Sequence, residues 1–308
     1  MTPQQRGMRK ARWGAVALTA GALAVAGCSA GSAKSTATAG SSKPASPSAT
    51  AGGNRGSSVT AAQAVRLAAE RAQKATSFAA DVTVKTTGTA DTAISGTLQE
   101  QTRPSPLAVA DFGSVTISGN QIQGGIQEIV NSSGLYLKMA ELARQTGKPW
   151  VEIPASELSK AAGASFSQLI QNGSNDPLLQ TQMLSSSTNV KKVGTATVDG
   201  VPTTEYTGTY PISAGLAKLP AASRSKIASQ LQQQGLTSEN FTVWLDGQQQ
   251  VRKVVTAAKG TSESVASTIV VTSINQPVSV SVPPAAQVAT VPASELGGSS
   301  SGSGTSSS

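Results

Sequence analysis

The sequence predicts an α+β domain, in which one large, strongly curved antiparallel sheet carries helices over its apolar face. Three observations lead there. Apolar residues alternate with small or polar ones in about ten separate stretches between Phe78 and Val282, the period-two signature of strands with one buried face. Turn pairs at Asp199-Gly200 and Asp246-Gly247 fall between such stretches, as hairpins between neighbouring antiparallel strands require. Amphipathic stretches with helical spacing interrupt the strands. A sheet of roughly ten strands twists and curls, and these helices are what the chain has available to cover it.

The chain begins differently. Arg6, Arg9, Lys10 and Arg12 precede an apolar run from Trp13 to Ala26, which ends in Val25-Ala26-Gly27-Cys28. A basic start, a short apolar segment and small residues before a cysteine read as an export signal of residues 1–27 with a lipobox. Cys28 is the one cysteine among 308 residues, so an internal disulfide is excluded, and its thiol stands where a diacylglyceryl group would be attached. The apolar run is shorter than the roughly 20 residues that span a bilayer. Two or three acyl chains on one terminus hold a protein stably where a single chain does not. The expectation is a palmitate-type lipid anchor on the extracytoplasmic face of the cell membrane.

Residues 28–58 then read as a Ser/Ala/Gly/Pro tether. From Ser29 to Ser58 they offer no large apolar side chain to bury. As a flexible coil of ~30 residues the tether would span roughly 30 Å. The β domain is expected over residues 59–290, and 291–308 as a second Ser/Gly tail.

Within the domain, Thr60 and Gln63 form a capping box before a helix predicted over Ala61–Ala75. Strands are expected around Phe78–Val84, Ile94–Leu98, Val115–Ile117, Leu135–Lys138, Trp150–Ile153, Val190–Val198, Thr203–Tyr210, Phe241–Leu245, Val251–Ala257, Val265–Ile274 and Val278–Val282. Helices are expected over Ser156–Ile170, continuing after Asp176-Pro177 to Leu184, and over Ser213–Leu231.

The composition excludes much chemistry. The sequence contains no histidine, which removes a Ser-His-Asp triad, a histidine general base and His-ligated zinc. Gly298-Ser299-Ser300-Ser301-Gly302 has the nucleophile-elbow spacing but lies in the tail, and Ser223-Arg224-Ser225-Lys226 lacks the companion motifs of an S-x-x-K enzyme. Carboxylates stand singly, so neither a calcium loop nor an acid/base pair is suggested. The formal charge of +8 falls to +4, 20 basic against 16 acidic residues, once the signal is removed, and no basic clusters with interleaved aromatics suggest nucleic acid. An enzyme is therefore not expected, nor a cofactor or metal. Trp150 and Trp244 are expected as packing residues, and Lys191 and Lys192 as a solvated strand edge.

Several segments occur together in a familiar order. They are Leu135-Tyr136-Leu137-Lys138-Met139, Gly147-Lys148-Pro149-Trp150-Val151, Val198 through Thr204 with Tyr206, Val243-Trp244-Leu245-Asp246-Gly247 with Val251-Arg252-Lys253, and Val280-Ser281-Val282-Pro283-Pro284. After a lipobox and a Ser/Thr-rich linker, this order resembles the actinobacterial LppX/LprAFG lipoprotein family. The resemblance implies a LolA-like half-barrel with helices across its concave face and an apolar cavity between them, and a lipoprotein that binds or carries acylated lipids or glycolipids. The alternative is a structural or signalling envelope lipoprotein of the same fold without lipid cargo. Alternation alone picks the candidate cavity lining: Val82, Val84, Leu98, Leu135, Leu137, Leu169, Leu216, Leu219, Val243 and Leu245.

Overall fold

The computed structural model describes residues 59–88, 91–162, 177–219 and 235–292, together with 224, 228 and 231. Cys28, the tether and nearly all of the tail lie outside these residues, as do Phe166 and Leu169.

Helix α1 (Ala61–Lys74) starts where the capping box places it: the Thr60 side chain accepts from the Gln63 backbone N–H, and the Gln63 side chain accepts from the Thr60 N–H. Its buried stripe is Ala64, Val65, Ala68, Ala69 and Ala72, small side chains that let it approach the helix at Pro177–Leu184 closely. Thirteen strands follow: β1 (Ser77–Gly88), β2 (Thr92–Gln101), β3 (Leu107–Ile117), β4 (Asn120–Gln121), β5 (Ile126–Asn131), β6 (Gly134–Lys138), β7 (Trp150–Pro154), β8 (Lys191–Val198), β9 (Val201–Pro211), β10 (Ser238–Leu245), β11 (Val251–Lys259), β12 (Glu263–Ile274) and β13 (Val288–Thr290). They form one sheet in the order β13-β7-β6-β5-β3-β2-β1-β12-β11-β10-β9-β8, with β4 paired to β3. The sheet is curved and unclosed. It is antiparallel throughout except at one edge, where β13 runs parallel to β7.

Further helices among the described residues include α2 (Ala140–Thr146), α3 (Ala155–Ala162), α4 (Pro177–Leu184) and α5 (Ile212–Leu216). Helix α4 lies against α1, and α3 packs on β6 and β7. The hydrophobic core joins α1, α4 and α5 to one face of β1, β12, β11, β10 and β9, through Phe78, Ala80, Met183, Leu184, Tyr206, Tyr210, Phe241, Val243, Val254 and Ile269 among others. Gly208 faces Phe241 across the β9–β10 ladder, and a Cβ there would lie 2.7 Å from the Phe241 ring. Glycine is what lets that ring lie flat in the core.

Four local expectations are corrected. Val278–Val282 joins no ladder, because Pro277, Pro283 and Pro284 around it lack the N–H a strand interior needs; the edge strand forms later, at β13. The helix expected over Ser213–Leu231 is interrupted: α5 ends at Leu216, since Leu219 precedes Pro220 and a residue before proline is driven out of the helical region, while Arg224, Ala228 and Leu231 beyond it are again helical. Arg224 then donates to the Leu216, Ala217 and Leu219 carbonyls at the end of that turn. Strands β3 and β5 are longer than, or absent from, the alternation read in the sequence. Trp150 and Trp244 are half-exposed on the outer face, each with a lysine over its ring, Lys138 at 5.8 Å and Lys253 at 4.8 Å. Phe241, Val243 and Leu245 occupy the inward positions of β10, so Trp244 between them points out.

Candidate functional site

Cross-strand partners share a face, so the register defines what the helix-covered side of the sheet presents. One row runs Val271, Ala80, Leu98, Ala110, Glu128, Leu137, Val151 across β12, β1, β2, β3, β5, β6 and β7. The next runs Ile274, Phe78, Glu100, Ala108, Val130, Leu135, Ile153 over the same strands. The apolar face that begins in the core therefore continues over β2, β3, β5, β6 and β7.

The two halves of this face differ. Toward β9 it is sealed: Val243 and Leu245 retain 0% and 1% of their surface, and Leu216 and Leu219 are buried over them. Toward β7 it is not. Ala108, Phe112, Val130, Leu135 and Leu137 are only half-buried, although Ala110, Val151 and Ile153 among them are buried. Among the ten residues picked by alternation, Val82, Val84, Leu98, Leu135 and Leu137 keep accessible surface, while Leu216, Leu219, Val243 and Leu245 belong to the packed core. Leu169 lies outside the described residues. A separate void of about 30 Å³ lies between α1 and the ends of β11 and β12.

Asp246 and Tyr210 at the core are hydrogen-bonded, whereas the Oε1 atoms of Gln180 and Gln249 are buried without a hydrogen-bond partner. Asp246, buried at the β10–β11 turn, accepts the Gln248 and Gln250 N–H groups at 2.9 Å each through Oδ1, and the Arg252 guanidinium at 2.8 and 2.9 Å through Oδ2. The Tyr210 hydroxyl donates to Glu239, and burial, with this carboxylate beside it, raises its pKa. On the outer face Tyr136 donates to Glu152 at 3.0 Å. These bonds hold strands in register and offer no nucleophile. Lys191 and Lys192 are exposed on edge strand β8.

Glu128 is the residue that alternation missed. It occupies an inward position of β5 between Ile126 and Val130, where an apolar side chain would have completed the period, and that break concealed the strand. The residue keeps some accessible surface, but protein surrounds its carboxyl closely enough that desolvation pushes its pKa up to about 7. A carboxylate in phase with flanking apolar residues was the available signal.

No family model matches the sequence. An uncharacterized 31.2 kDa protein of Streptomyces griseus is 31% identical over 131 residues, a match spanning 40% of this chain and 42% of that protein's length. Similar solved structures include the lipoprotein LppX of Mycobacterium tuberculosis, 21% identical over 72% of this chain and 98% of that one with a TM-score of 0.39. LprF of Mycobacterium bovis is 14% identical over 72% and 96% with a TM-score of 0.43. A LolA-superfamily protein of Nitrosomonas europaea is 8% identical over 72% and 96% with a TM-score of 0.24.

Proposed function

We propose that this protein is a membrane-anchored extracytoplasmic lipoprotein whose curved sheet shelters the acyl chains of a lipid or glycolipid. The observation that carries the reading is the contrast between the two halves of one continuous apolar face. Toward β9 the helices fill it, whereas toward β7 Leu135, Leu137, Val130 and Phe112 retain accessible surface among the described residues. Apolar area left accessible along a concave surface gains about 25 cal/mol for each Å² that a ligand removes from water, or ~0.8 kcal/mol per CH₂, so an acyl chain binds there without any special chemistry. Cys28 supplies the anchor, and residues 28–58 the reach that lets the domain sample the membrane surface. The polar pairs around Asp246 and Tyr210 are structural on this reading, and no side chain acts as a catalyst.

The test is mass spectrometry of organic extracts from the full-length chain carrying Cys28→Ala, so that the anchor contributes no lipid, purified from a related host without added detergent. Acylated lipid is expected at near one equivalent per protein. Protein that yields no lipid, and takes up none when incubated with vesicles of the host's lipids, sinks the carrier reading.

A further inference from the structure

The half-exposed part of the sheet face is apolar apart from two glutamates, Glu128 in one row and Glu100 in the next. Glu128 has Ala110 and Leu137 as its cross-strand partners and Ile126 and Val130 beside it on the same face of β5. It makes no side-chain hydrogen bond or ion pair among the described residues, in contrast to Glu100 in the neighbouring row, which has an interaction partner. Other charges are directed elsewhere. Asp111 of β3 and Lys138 of β6 are exposed on the outer face. In α3, which packs on β6 and β7, Lys160 and Glu157 pair with each other at 2.8 Å.

A carboxyl among alkyl groups with no partner is costly in either protonation state, and more so when ionised. Desolvation accordingly pushes its pKa up to about 7, so that near neutrality a large fraction carries the proton. The protonated group has one O–H to donate, whereas the carboxylate can only accept. Apart from the two glutamates, neither row contains a polar side chain. Every esterified acyl chain, in turn, brings to an apolar surface one group that needs a donor, the carbonyl at its root.

Taking the lipid-holding role above as given, we propose that Glu128 is the polar contact of this face and donates a hydrogen bond, in its protonated form, to an ester carbonyl of an acylated ligand. The ligand class is then an acyl ester, as opposed to an ether lipid or a cationic amphiphile, and loading is favoured on the acid side of neutrality. Ionising Glu128 removes the donor and leaves a charge under the chain.

The full-length chain carrying Cys28→Ala is titrated calorimetrically from pH 5.5 to 8.5 with 1,2-dioctanoylglycerol and with the matching dioctyl ether, which lacks both carbonyls. At pH 5.5 the diester is expected to bind about threefold to tenfold tighter than the diether, the worth of one hydrogen bond. Its Kd should rise roughly tenfold by pH 8, since each pH unit above the pKa lowers the protonated fraction tenfold. Glu128→Gln, which keeps a donor but cannot ionise, should keep the ester preference and lose the pH dependence; Glu128→Leu should bind both probes alike. Equal binding of the two probes by the parent protein overturns the proposal while leaving the lipid reading standing. So does an ester preference that survives Glu128→Leu, or binding that tightens as the pH rises, which would mark the carboxylate as a cation receptor. No binding of either probe at any pH removes the proposal and the lipid reading together.

Discussion

Glu128 makes the folding stability of this protein depend on pH in a direction opposite to that of a salt-bridged carboxylate. Its folded-state pKa of about 7 stands above the ordinary 4.5 of an unfolded glutamate. Below about pH 4.5 it is protonated in both states, and the native state bears no burden from it. Between those values the unfolded chain ionises first, so stability is lost as the pH rises through 7. The gap corresponds to about 3 kcal/mol, reduced toward ~2 kcal/mol by the accessible surface the residue retains. Glu128→Gln cannot ionise and disrupts no hydrogen bond, so the variant and the parent should unfold alike in urea near pH 4. At pH 8 the variant should be more stable by about 2 to 3 kcal/mol, read as a higher midpoint at unchanged m-value. In a domain of this size that is a rise of about 5 to 10 °C in Tm. Parallel pH profiles for the two proteins would refute the reasoning, because they would show that the carboxyl is solvated or already paired. A variant less stable than the parent at pH 8 would show that the carboxylate makes a favourable contact in the fold.

Other consequences separate the two halves of the sheet face and the anchor. Val243→Trp adds a ring where no surface is accessible and should cost about 1 to 3 kcal/mol or more by overpacking. Leu137→Trp, on the half-exposed stretch, should leave the melting temperature near the parent value while extracted lipid falls. If both variants lose stability equally, the face has no open half. Cys28→Ala should abolish incorporation of labelled fatty acid into the mature protein, and label that persists would place the acyl chains elsewhere.

Much of the architecture was local information. The Thr60–Gln63 capping box, the alanine stripe of α1, the Asp199-Gly200 and Asp246-Gly247 turns and the period-two runs each depend on residues a few positions apart. They fix helix starts, hairpins and the inward face of most strands. The reading of Val25 to Cys28 as a lipobox is local in the same way, since it rests on linear sequence alone. Where the local signal was broken, the reading failed: Glu128 interrupted β5, Pro220 split a helical pattern in two, and the prolines around Val278–Val282 kept an alternating segment out of the sheet.

The tertiary structure decided what pairs over long distances. Nothing near Val288 announces that it will run parallel to Trp150, because five strands, β8 to β12, separate the two in the chain. Nor could alternation tell Val243 from Leu137. Both are apolar and face inward, but α4 and α5 pack over the first and leave surface on the second. The chemistry of Glu128 was decided last of all. Its side chain is that of any glutamate, and only the row of apolar neighbours brought together by β3, β5 and β6 removes the water that would keep it ionised at neutral pH.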